Sequence, residues 1–266
     1  MLIVPFEEFW MIWHPGIRNH FLTSLTPEEF GALSPNFRNV VLEPGRVLWR
    51  RGDTINHVVL PHSGLISLGM PTDHNHSVEC GLVGKEGVAG DYAGCGVSHA
   101  ISTATVRMAG TATQIDIDVF RNAVSDIELL RERLTRYQAA QCGQALQTAA
   151  CNASHPVEGR LCRWLLEMHD RTDNSRLAIT QHLLANMLGV RRTTVTFVAG
   201  ALRECRAIRW QRNCAVILRR DILEAKTCNC YSELKIHTGR LLDGRHRRVM
   251  DGSAISAHTS ASELAV

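Results

Sequence analysis

Six glycines and one lysine lie within the sixteen residues from Gly81 to Gly96, GLVGKEGVAGDYAGCG. Glycine-rich turns that carry a lysine bind phosphate groups in many nucleotide-binding proteins, because backbone amides can then approach the anion closely. A P-loop continues Gly-Lys with Ser or Thr before a helix, whereas Glu86 follows Lys85 in strand-like sequence. This spacing argues against a kinase or NTPase, and the lack of a G-x-S-x-G elbow argues against a hydrolase. We expect a protein that is not an enzyme.

The nine cysteines and thirteen histidines form no complete metal-ligand motif in the sequence. An iron–sulfur cluster usually needs four clustered cysteines, and only Cys228 and Cys230 are close neighbours. His74 and His76 lie in the loop PTDHNHSVE, which is typical of a solvated hairpin tip. The scattered cysteines are typical of small core residues; they are Cys80, Cys95, Cys142, Cys151 and Cys162. We therefore expect no cofactor, with a redox or metal role for Cys228 and Cys230 as the open alternative.

The segment LAITQHLLANMLGVRRTTVTFVAGALRECRAIRW predicts two short helices joined by a tight turn. Thr180 suits the N-cap of a helix from Gln181 to Leu188, and Gly189 can adopt the positive φ that the turn needs. A second helix would follow over about 191–204, with Val195, Val198 and Leu202 facing inward. This is helix-turn-helix spacing, in which the second helix enters the DNA major groove.

The residues that would meet DNA are polar, basic or aromatic side chains around this turn and behind it. Arginine can contact guanine through two hydrogen bonds, and threonine can contact a base or a phosphate. The strands IRW and CAVIL predict a β-hairpin wing behind the second helix, whose arginines could reach phosphates. The predicted DNA-binding residues are Thr180, Gln181, Arg191, Arg192, Thr193, Thr194, Thr196, Phe197, Arg209 and Arg212.

The charge of the chain is divided unevenly. Residues 156–249 contain eighteen Lys/Arg and nine Asp/Glu, although the whole chain has a net charge of only +3. The remaining residues are therefore acidic on balance. This division favours a basic module that binds a polyanion, joined to a module that does not.

The elements before the basic module change character along the chain. From Val40, short β-branched runs alternate with turn signals at Pro44-Gly45, Gly52-Asp53 and Ser63-Gly64, which predicts a β-sandwich or barrel. From Ser125 the apolar period becomes helical, and we predict one long helix over Ser125–Ala153. Its apolar side would carry Ile127, Leu130, Leu134, Tyr137, Gln141 and Leu146. Such a stripe usually packs on a partner helix; the alternative is packing on its own β domain.

No apolar run approaches the eighteen residues that a membrane-spanning helix requires. The N-terminus, MLIVPFEEFWMIWHPGIRNH, contains Glu7 and Glu8 and has no leading basic cluster, so it does not have the layout of a signal peptide. Cysteines without paired small-domain spacing indicate reduced thiols. We predict a cytoplasmic protein without membrane contact.

The order of these elements resembles the Crp/Fnr family of bacterial transcription regulators over roughly Asn19 to Leu242. The phrases LEPGRVLWRRGD, HVVLPHSGLISL, VGKEGVAG, LCRWLLEMHDR and ITQHLLANMLGVRRTTVT carry the resemblance. It implies an α+β protein with an N-terminal β-roll (a double-stranded β-helix or jelly roll), a long dimerisation helix and a C-terminal winged helix-turn-helix. It also implies a homodimer that binds a palindromic site on double-stranded DNA and contacts RNA polymerase. Many members have Glu where Thr193 stands, so base preference does not transfer.

The resemblance divides the chain into five parts. These are an N-terminal extension (1–18), a β-roll (19–124), the dimerisation helix (125–153), the DNA-binding domain (154–242) and a disordered tail (243–266). The basic cluster Arg245–Arg248 precedes the Ser/Ala-rich end of the tail and is typical of a solvated charge cluster.

Members of the family can bind a cyclic nucleotide through glycine turns, an acidic residue and an arginine. Gly87, Gly90 and Asp91 loosely match the first part of this pattern, and Ser102 and Thr103 stand where the rest should follow. These five residues are the candidate effector pocket. The expected arginine is missing, the nearest being Arg107, so a cyclic phosphate would lack its cationic partner. We expect an unknown effector other than a cyclic nucleotide; the alternative function is a cyclic-nucleotide-binding scaffold that acts on a protein partner without DNA.

Overall fold

The computed structural model of the chain describes residues 16–72 and 77–242. The predictions for most of the N-terminal extension, for His74 and His76, and for Arg245–Arg248 and the rest of the tail lie outside the described residues.

The described part of the N-terminal half contains seven strands in two antiparallel sheets. The strands are β1 Arg38–Leu42, β2 Val47–Trp49, β3 His57–Pro61, β4 Leu65–Pro71, β5 Ser77–Val83, β6 Thr103–Met108 and β7 Gly110–Asp116. The three-stranded sheet has the order β1-β7-β3, and the four-stranded sheet has the order β2-β6-β4-β5. From residue 16 onward, two α-helices precede the strands, α1 His20–Thr23 and α2 Pro27–Leu33. The predicted β-roll fold is confirmed by this arrangement.

Two helices, rather than one, follow the β-roll. Helix α3 covers Ile117–Asp126 and helix α4 covers Glu128–Ser154, so the prediction of a single helix from Ser125 was wrong at its start. Ile127 between them is extended, with φ −110° and ψ 105°. The break has a packing cause: α3 buries Phe120 against the β-roll, and α4 needs a different direction to bury its own apolar side there.

The buried side of α4 differs from the predicted stripe. The inner stripe consists of Leu130, Leu134, Tyr137, Ala140, Gln144, Thr148 and Cys151, all buried within this chain. Leu146 is 67% exposed and therefore does not belong to it. Nine residues separate Leu146 from Tyr137, which is two and a half turns of a helix, so the two side chains point in opposite directions.

The C-terminal half is a helical domain with a small three-stranded sheet. Helix α5 covers Val157–Thr172, α6 Gln181–Leu188, α7 Arg192–Glu204, α8 Arg220–Lys226 and α9 Cys230–Leu242. The strands are β8 Arg176–Leu177, β9 Ile208–Gln211 and β10 Cys214–Ile217, and they pair in the order β8-β10-β9. Helix α9 returns to pack along α4. A core around Trp164, Leu184 and Leu202 holds this domain together.

A buried carboxylate joins the two halves. Glu167 on α5 is 2% exposed; its Oε1 accepts a 2.6 Å hydrogen bond from Arg163 Nη1, and its Oε2 accepts one of 3.1 Å from Gln144 Nε2. Arg171 Nη1 lies 3.4 Å from Glu167 Oε2, while Arg171 Nε donates to Glu86 Oε1 at 3.0 Å. This network links the β-roll, α4 and the C-terminal domain.

The glycine-rich segment packs tightly against α4. A Cβ atom on Gly87 would lie 2.7 Å from Cζ of Tyr137, and Tyr137 is itself buried. Asp91, four residues later, is 6% exposed, and this burial raises the pKa of its carboxyl group to about 7. Position 87 therefore has no room for a side chain, and a negative charge at Asp91 is unfavourable in the folded protein.

Replacing Gly87 with Ala is expected to lower the free energy of unfolding by about 1–3 kcal/mol, because the new methyl group would overlap the Tyr137 ring. Gly31 on α2 is the matched control, since a Cβ there would meet nothing within 4 Å. Gly31→Ala should raise the free energy of unfolding by about 0.5–1 kcal/mol through helix propensity. Urea denaturation followed by circular dichroism measures both, and a shift of the same sign in both variants would contradict the packing described.

Asp91 should make the protein less stable as the pH rises from about 4 to about 7. The folded state keeps the Asp91 proton until about pH 7, whereas the unfolded chain loses it near the ordinary pKa of about 4, so folding then requires a buried charge. Asp91→Asn removes this cost and should gain up to about 4 kcal/mol over wild type above pH 7, but little at pH 4.

The control for Asp91 is the exposed Asp118, whose replacement by Asn should give no comparable pH-dependent gain. Urea denaturation at a series of pH values tests the difference. A constant offset between Asp91→Asn and wild type at every pH would show that Asp91 does not titrate in this range.

Candidate nucleic-acid interface

Helices α6 and α7 form a helix-turn-helix unit. Oγ1 of Thr180 accepts a 3.0 Å hydrogen bond from the Leu183 amide and so caps α6. Gly189 ends α6 in the left-handed conformation, with φ 63°, as the sequence predicted. The amide of Val190 then donates to the Ala185 carbonyl at 3.0 Å, so the chain turns at once into α7.

Helix α7 has one buried face and one exposed face. Val195, Ala199 and Leu202 are buried in the domain core. Val198 was predicted to face inward but is only half-buried, because Ala199 occupies the central position at helical spacing. Ala185 on α6 is 3% exposed and belongs to the same core, which allows the two helices to approach closely.

The opposite face of α7 carries most of the predicted DNA-binding residues. Those exposed to solvent are Arg191, Arg192, Thr193, Thr196 and Phe197; Thr180, Gln181 and Thr194 are half-buried. The Phe197 side chain is 80% exposed, which is unusual for an aromatic residue. The Thr196 hydroxyl donates to Gln181 Oε1 at 2.8 Å. This bond orients the Gln181 amide beside the N-terminal part of α7.

The wing is a short antiparallel hairpin directly after α7. Strands β9 and β10 pair from Cys214 opposite Gln211 to Ile217 opposite Ile208. Arg209 and Arg212 are both exposed on it. Arg212 at its turn and Arg206 at the end of α7 have positive φ values, 35° and 58°, in the left-handed region that favours glycine.

The surface formed by α6, α7 and the wing is strongly basic. Between Arg176 and Arg219 the chain has eight arginines, no lysine and one carboxylate, that of Glu204. All eight arginines are exposed. Two of them lie at the start of α7 and two on the wing. The other four are Arg176, Arg203, Arg206 and Arg219. Such a surface attracts a polyanion over several ångströms and contains almost nothing that repels one.

The turn between α6 and α7, together with the N-terminal end of α7, faces the β-roll. A Cβ atom on Gly189 would lie 3.5 Å from Cγ2 of Val78 on β5. A groove of about 630 Å³ separates Ser77 and Val78 from Arg191 and Arg192. The β-roll and the helix-turn-helix unit are thus neighbours beside the residues that would read DNA.

The five residues of the candidate effector pocket lie in the β-roll. Gly87 is covered by Tyr137, Asp91 is buried, and Gly90 adopts φ 84° next to Trp49. Ser102 is buried, and Thr103 Oγ1 accepts a 3.2 Å hydrogen bond from the Arg51 amide.

Arg107, the arginine nearest to that segment in the sequence, is engaged elsewhere. Its Nε donates to Ser67 Oγ at 2.7 Å, and its Nη2 pairs with the buried carboxylate of Glu79. The structure therefore gives a cyclic phosphate no free guanidinium from Arg107.

A cysteine–histidine cluster lies at the other end of α4. Cys151 and His155 approach Cys228 and Cys230, and the four potential ligand atoms lie within 4.8 Å of one another. The sequence indicated only the Cys228–Cys230 half. Cys151 is 77 residues from Cys228 along the chain. The two residues are close in space only because α9 returns to pack along α4, which the sequence pattern did not indicate.

Among the described residues, no helix is both long enough and apolar enough to span a membrane. A comparison with curated proteins finds no match at the level of sequence. Residues 159–226 match the family described as the Crp-like helix-turn-helix domain.

Solved structures of regulators resemble the whole architecture. FixK2 from Bradyrhizobium japonicum matches with a TM-score of 0.61 and 13% identity, over 72% of this chain and 98% of that chain. A Crp/Fnr-family transcriptional regulator from Thermus thermophilus matches with a TM-score of 0.58 and 21% identity, over 73% and 98% of the two chains. The c-di-GMP-responsive global regulator CLP of Xanthomonas campestris matches with a TM-score of 0.58 and 13% identity, over 72% and 99%.

The sequence match lies on the domain that carries the exposed arginines, and the structural matches extend over the β-roll and α4. Residues 159–226 therefore form a Crp-like helix-turn-helix domain, and the chain as a whole has the fold of the Crp/Fnr transcription regulators.

Proposed function

We propose that this chain is a sequence-specific transcription regulator that binds a palindromic site on double-stranded DNA as a homodimer. The observation that carries the proposal is the exposed, arginine-rich face of α7 in a Crp-like helix-turn-helix domain. Regulators of this kind are generally not enzymes, and contact with RNA polymerase would convert DNA binding into regulation.

The exposed residues suit the two tasks of a DNA-binding protein. Arg191 and Arg192 at the start of α7 could reach base edges, where arginine binds guanine O6 and N7 together. Thr193 and Thr196 suit base or phosphate contacts, and the exposed Phe197 ring suits the methyl group of thymine.

Other predicted residues would position the protein on the DNA backbone. Arg209 and Arg212 on the wing suit phosphates beside the major groove. Thr180 and Gln181 lie at the N-terminus of α6, where backbone amides and the helix dipole favour an anion.

A second stripe on α4 supports the homodimer. The outer stripe consists of the exposed residues Thr135, Ala139, Cys142, Leu146, Ala149 and Ala153, which follow one another at intervals of four and three. This is the spacing at which two helices pack along each other, and its small residues would allow a close approach. We infer that a second copy of α4 covers the outer stripe, since the inner stripe is already buried within the chain.

Ion pairs between the two halves suggest how the β-roll could control DNA binding. Lys85 pairs with Asp173, and Glu86 pairs with Arg171 at 3.0 Å, so the glycine-rich segment contacts the end of α5 directly. A signal that rearranges this segment would change the equilibrium between orientations of the DNA-binding domain. Gly87, Gly90, Asp91, Ser102 and Thr103 remain the predicted effector pocket, with an effector other than a cyclic nucleotide.

Replacing Arg191 and Arg192 by Ala should abolish selection of the DNA site. The site itself is obtained first, by mapping the DNA bound by the wild-type protein, and its half-sites should lie about one helical turn apart. Removing each bidentate arginine–base interaction should weaken specific binding about 10–100-fold. Gel shift or fluorescence anisotropy against the mapped and scrambled sequences measures the change in affinity.

The control for this experiment is Arg121→Ala, which removes an arginine from α3, far along the chain from the helix-turn-helix unit. It should leave site selection unchanged. If the variant lacking both Arg191 and Arg192 still prefers the mapped site as strongly as wild type, α7 is not the reading helix and the assignment fails.

Replacing Leu146 by Glu should dissociate the dimer. The change would bring two carboxylates together in the seam, the buried contact between the outer stripes of two α4 helices. We expect dimerisation to weaken by about two orders of magnitude or more. Light scattering after size exclusion gives the mass. Val41 is the matched control because it is also apolar and 63% exposed, but it lies on β1, so Val41→Glu should stay dimeric.

Cys142 provides a second readout of the same seam. In a two-fold pairing of α4, Cys142 would face its own copy, so mild oxidation should produce a cross-linked dimer on a non-reducing gel. Cys142→Ser should lose the cross-link, whereas the same change at the exposed Cys95 should not. A wild-type protein that stays monomeric at micromolar concentration would rule out the seam.

A further inference from the structure

Four metal-ligating side chains meet where α4 ends and α9 begins. Cys151 lies in the last turn of α4, and His155 follows the end of that helix. Cys228 precedes α9, and Cys230 is its first residue. Cys151 Sγ lies 3.5 Å from Cys228 Sγ, and His155 Nδ1 lies 3.4 Å from Cys230 Sγ.

We propose that Cys151, His155, Cys228 and Cys230 bind one thiophilic divalent metal ion, Zn²⁺ in the first instance, as a Cys₃His site. Zinc binds sulfur at about 2.3 Å and imidazole nitrogen at about 2.1 Å in tetrahedral geometry, so its ligand atoms lie about 3.5–3.8 Å apart. The two measured separations are close to that range. All ligand atoms already lie within 4.8 Å of one another, so small side-chain rotations would complete the tetrahedron.

The size and composition of the cluster favour a single ion over the other uses of cysteine. An iron–sulfur cluster spreads its cysteines around several iron atoms, whereas these four ligand atoms all lie within 4.8 Å of one another, close enough to share one ion. A disulfide between Cys151 and Cys228 would use only two of the four groups. It would leave no role for His155, whose imidazole nitrogen already faces Cys230.

The groups around the cluster are suited to thiolates. Gln147 Nε2 lies 2.9 Å from Cys230 Sγ and can donate a hydrogen bond to it. Arg163 is wholly buried beside Cys151, and among residues 16–72 and 77–242 its Nε and Nη2 find no hydrogen-bond partner. Three thiolates around a divalent ion carry a net charge of −1, which a neighbouring guanidinium would balance.

The chain before Cys228 is fixed against the start of α5. Thr227 Oγ1 donates to the Gly159 carbonyl at 3.3 Å, and Lys226 pairs with Glu158 at 2.8 Å. A Cβ atom on Gly159 would lie 3.3 Å from the Cys228 amide nitrogen. The segment that carries Cys228 is therefore held in place by contacts that do not depend on the metal.

The site would fix the junction between α4 and α5. His155 is the extended residue between these helices, with φ −113° and ψ 145°. A metal bound to it and to α9 would join the end of α4, this junction and helix α9 of the C-terminal domain. The metal site does not rest on the proposed DNA binding, because its ligands lie outside the exposed face of α7.

The direct test is the metal content of the full-length protein purified under reducing conditions from zinc-replete cells. Inductively coupled plasma mass spectrometry should find one zinc per chain. Cys228→Ser combined with Cys230→Ser should lose it, and His155→Ala should bind at least about 10-fold more weakly. The control is Cys214→Ser, which changes a half-buried cysteine on β10 and should keep a full equivalent of zinc.

Cobalt provides a readout that does not depend on the variants' folding well. Co²⁺ added to the reduced, metal-free wild-type protein should give the visible bands of a tetrahedral ion and a thiolate-to-cobalt charge-transfer band. One equivalent of Zn²⁺ should remove both. Gln147→Ala keeps all four ligands and should lower the affinity for Co²⁺ about 10-fold, as loss of a hydrogen bond to a ligand does.

Three results would overturn the proposal. The first is a reduced, folded wild-type protein that binds neither Zn²⁺ nor Co²⁺. The second is undiminished zinc in the folded variant lacking Cys228 and Cys230. The third is a native Cys151–Cys228 disulfide, identified by peptide mass spectrometry, whose reduction creates no metal site.

Discussion

The carboxylate of Glu167 is the constraint on which the relation between the two halves of this molecule depends. A buried charge is costly unless hydrogen-bonded partners surround it. Here the partners come from two helices: Gln144 on α4, and Arg163 and Arg171 on α5 itself, of which Arg171 also reaches Glu86 in the β-roll. Arg163 and Arg171 would move with Glu167, so rotation of the C-terminal domain would have to replace Gln144 as a partner of Glu167 and Glu86 as a partner of Arg171. Such a requirement favours a few discrete orientations over continuous motion, which suits a protein that switches.

The same network includes the glycine-rich segment, whose sequence resembles a phosphate-binding loop. Lys85 and Glu86 of this segment make ion pairs with Asp173 and Arg171 of the C-terminal domain. Lys85, the lysine that would bind a phosphate, therefore already forms an ion pair with a carboxylate of the same chain. The glycine at position 87 allows close contact with Tyr137. Lys85 and Gly87 of this segment are thus both engaged by other side chains of the same chain.

Sequence reasoning succeeded where the determining interactions are local. The caps and turn of the helix-turn-helix unit depend on residues a few positions apart, such as Thr180 and Gly189, and their types are sufficient to predict the geometry. It was less successful on α4. The break at Ile127 has no glycine or proline to indicate it, and Leu146 was placed on the wrong side because the helical period was followed only approximately over many turns. The meeting of Cys151 with Cys228 depends on tertiary packing alone, which no local pattern encodes.

The two arginines with left-handed backbone, Arg206 and Arg212, have a consequence for how this protein could evolve or be engineered. Glycine would adopt these conformations with less strain, and its substitution at either position is a usual route to a more stable protein. Each such change would also remove one positive charge from the basic surface. Stability and affinity for a polyanion are thus in opposition at these positions, and selection for thermal stability alone would be expected to erode nucleic-acid binding there first.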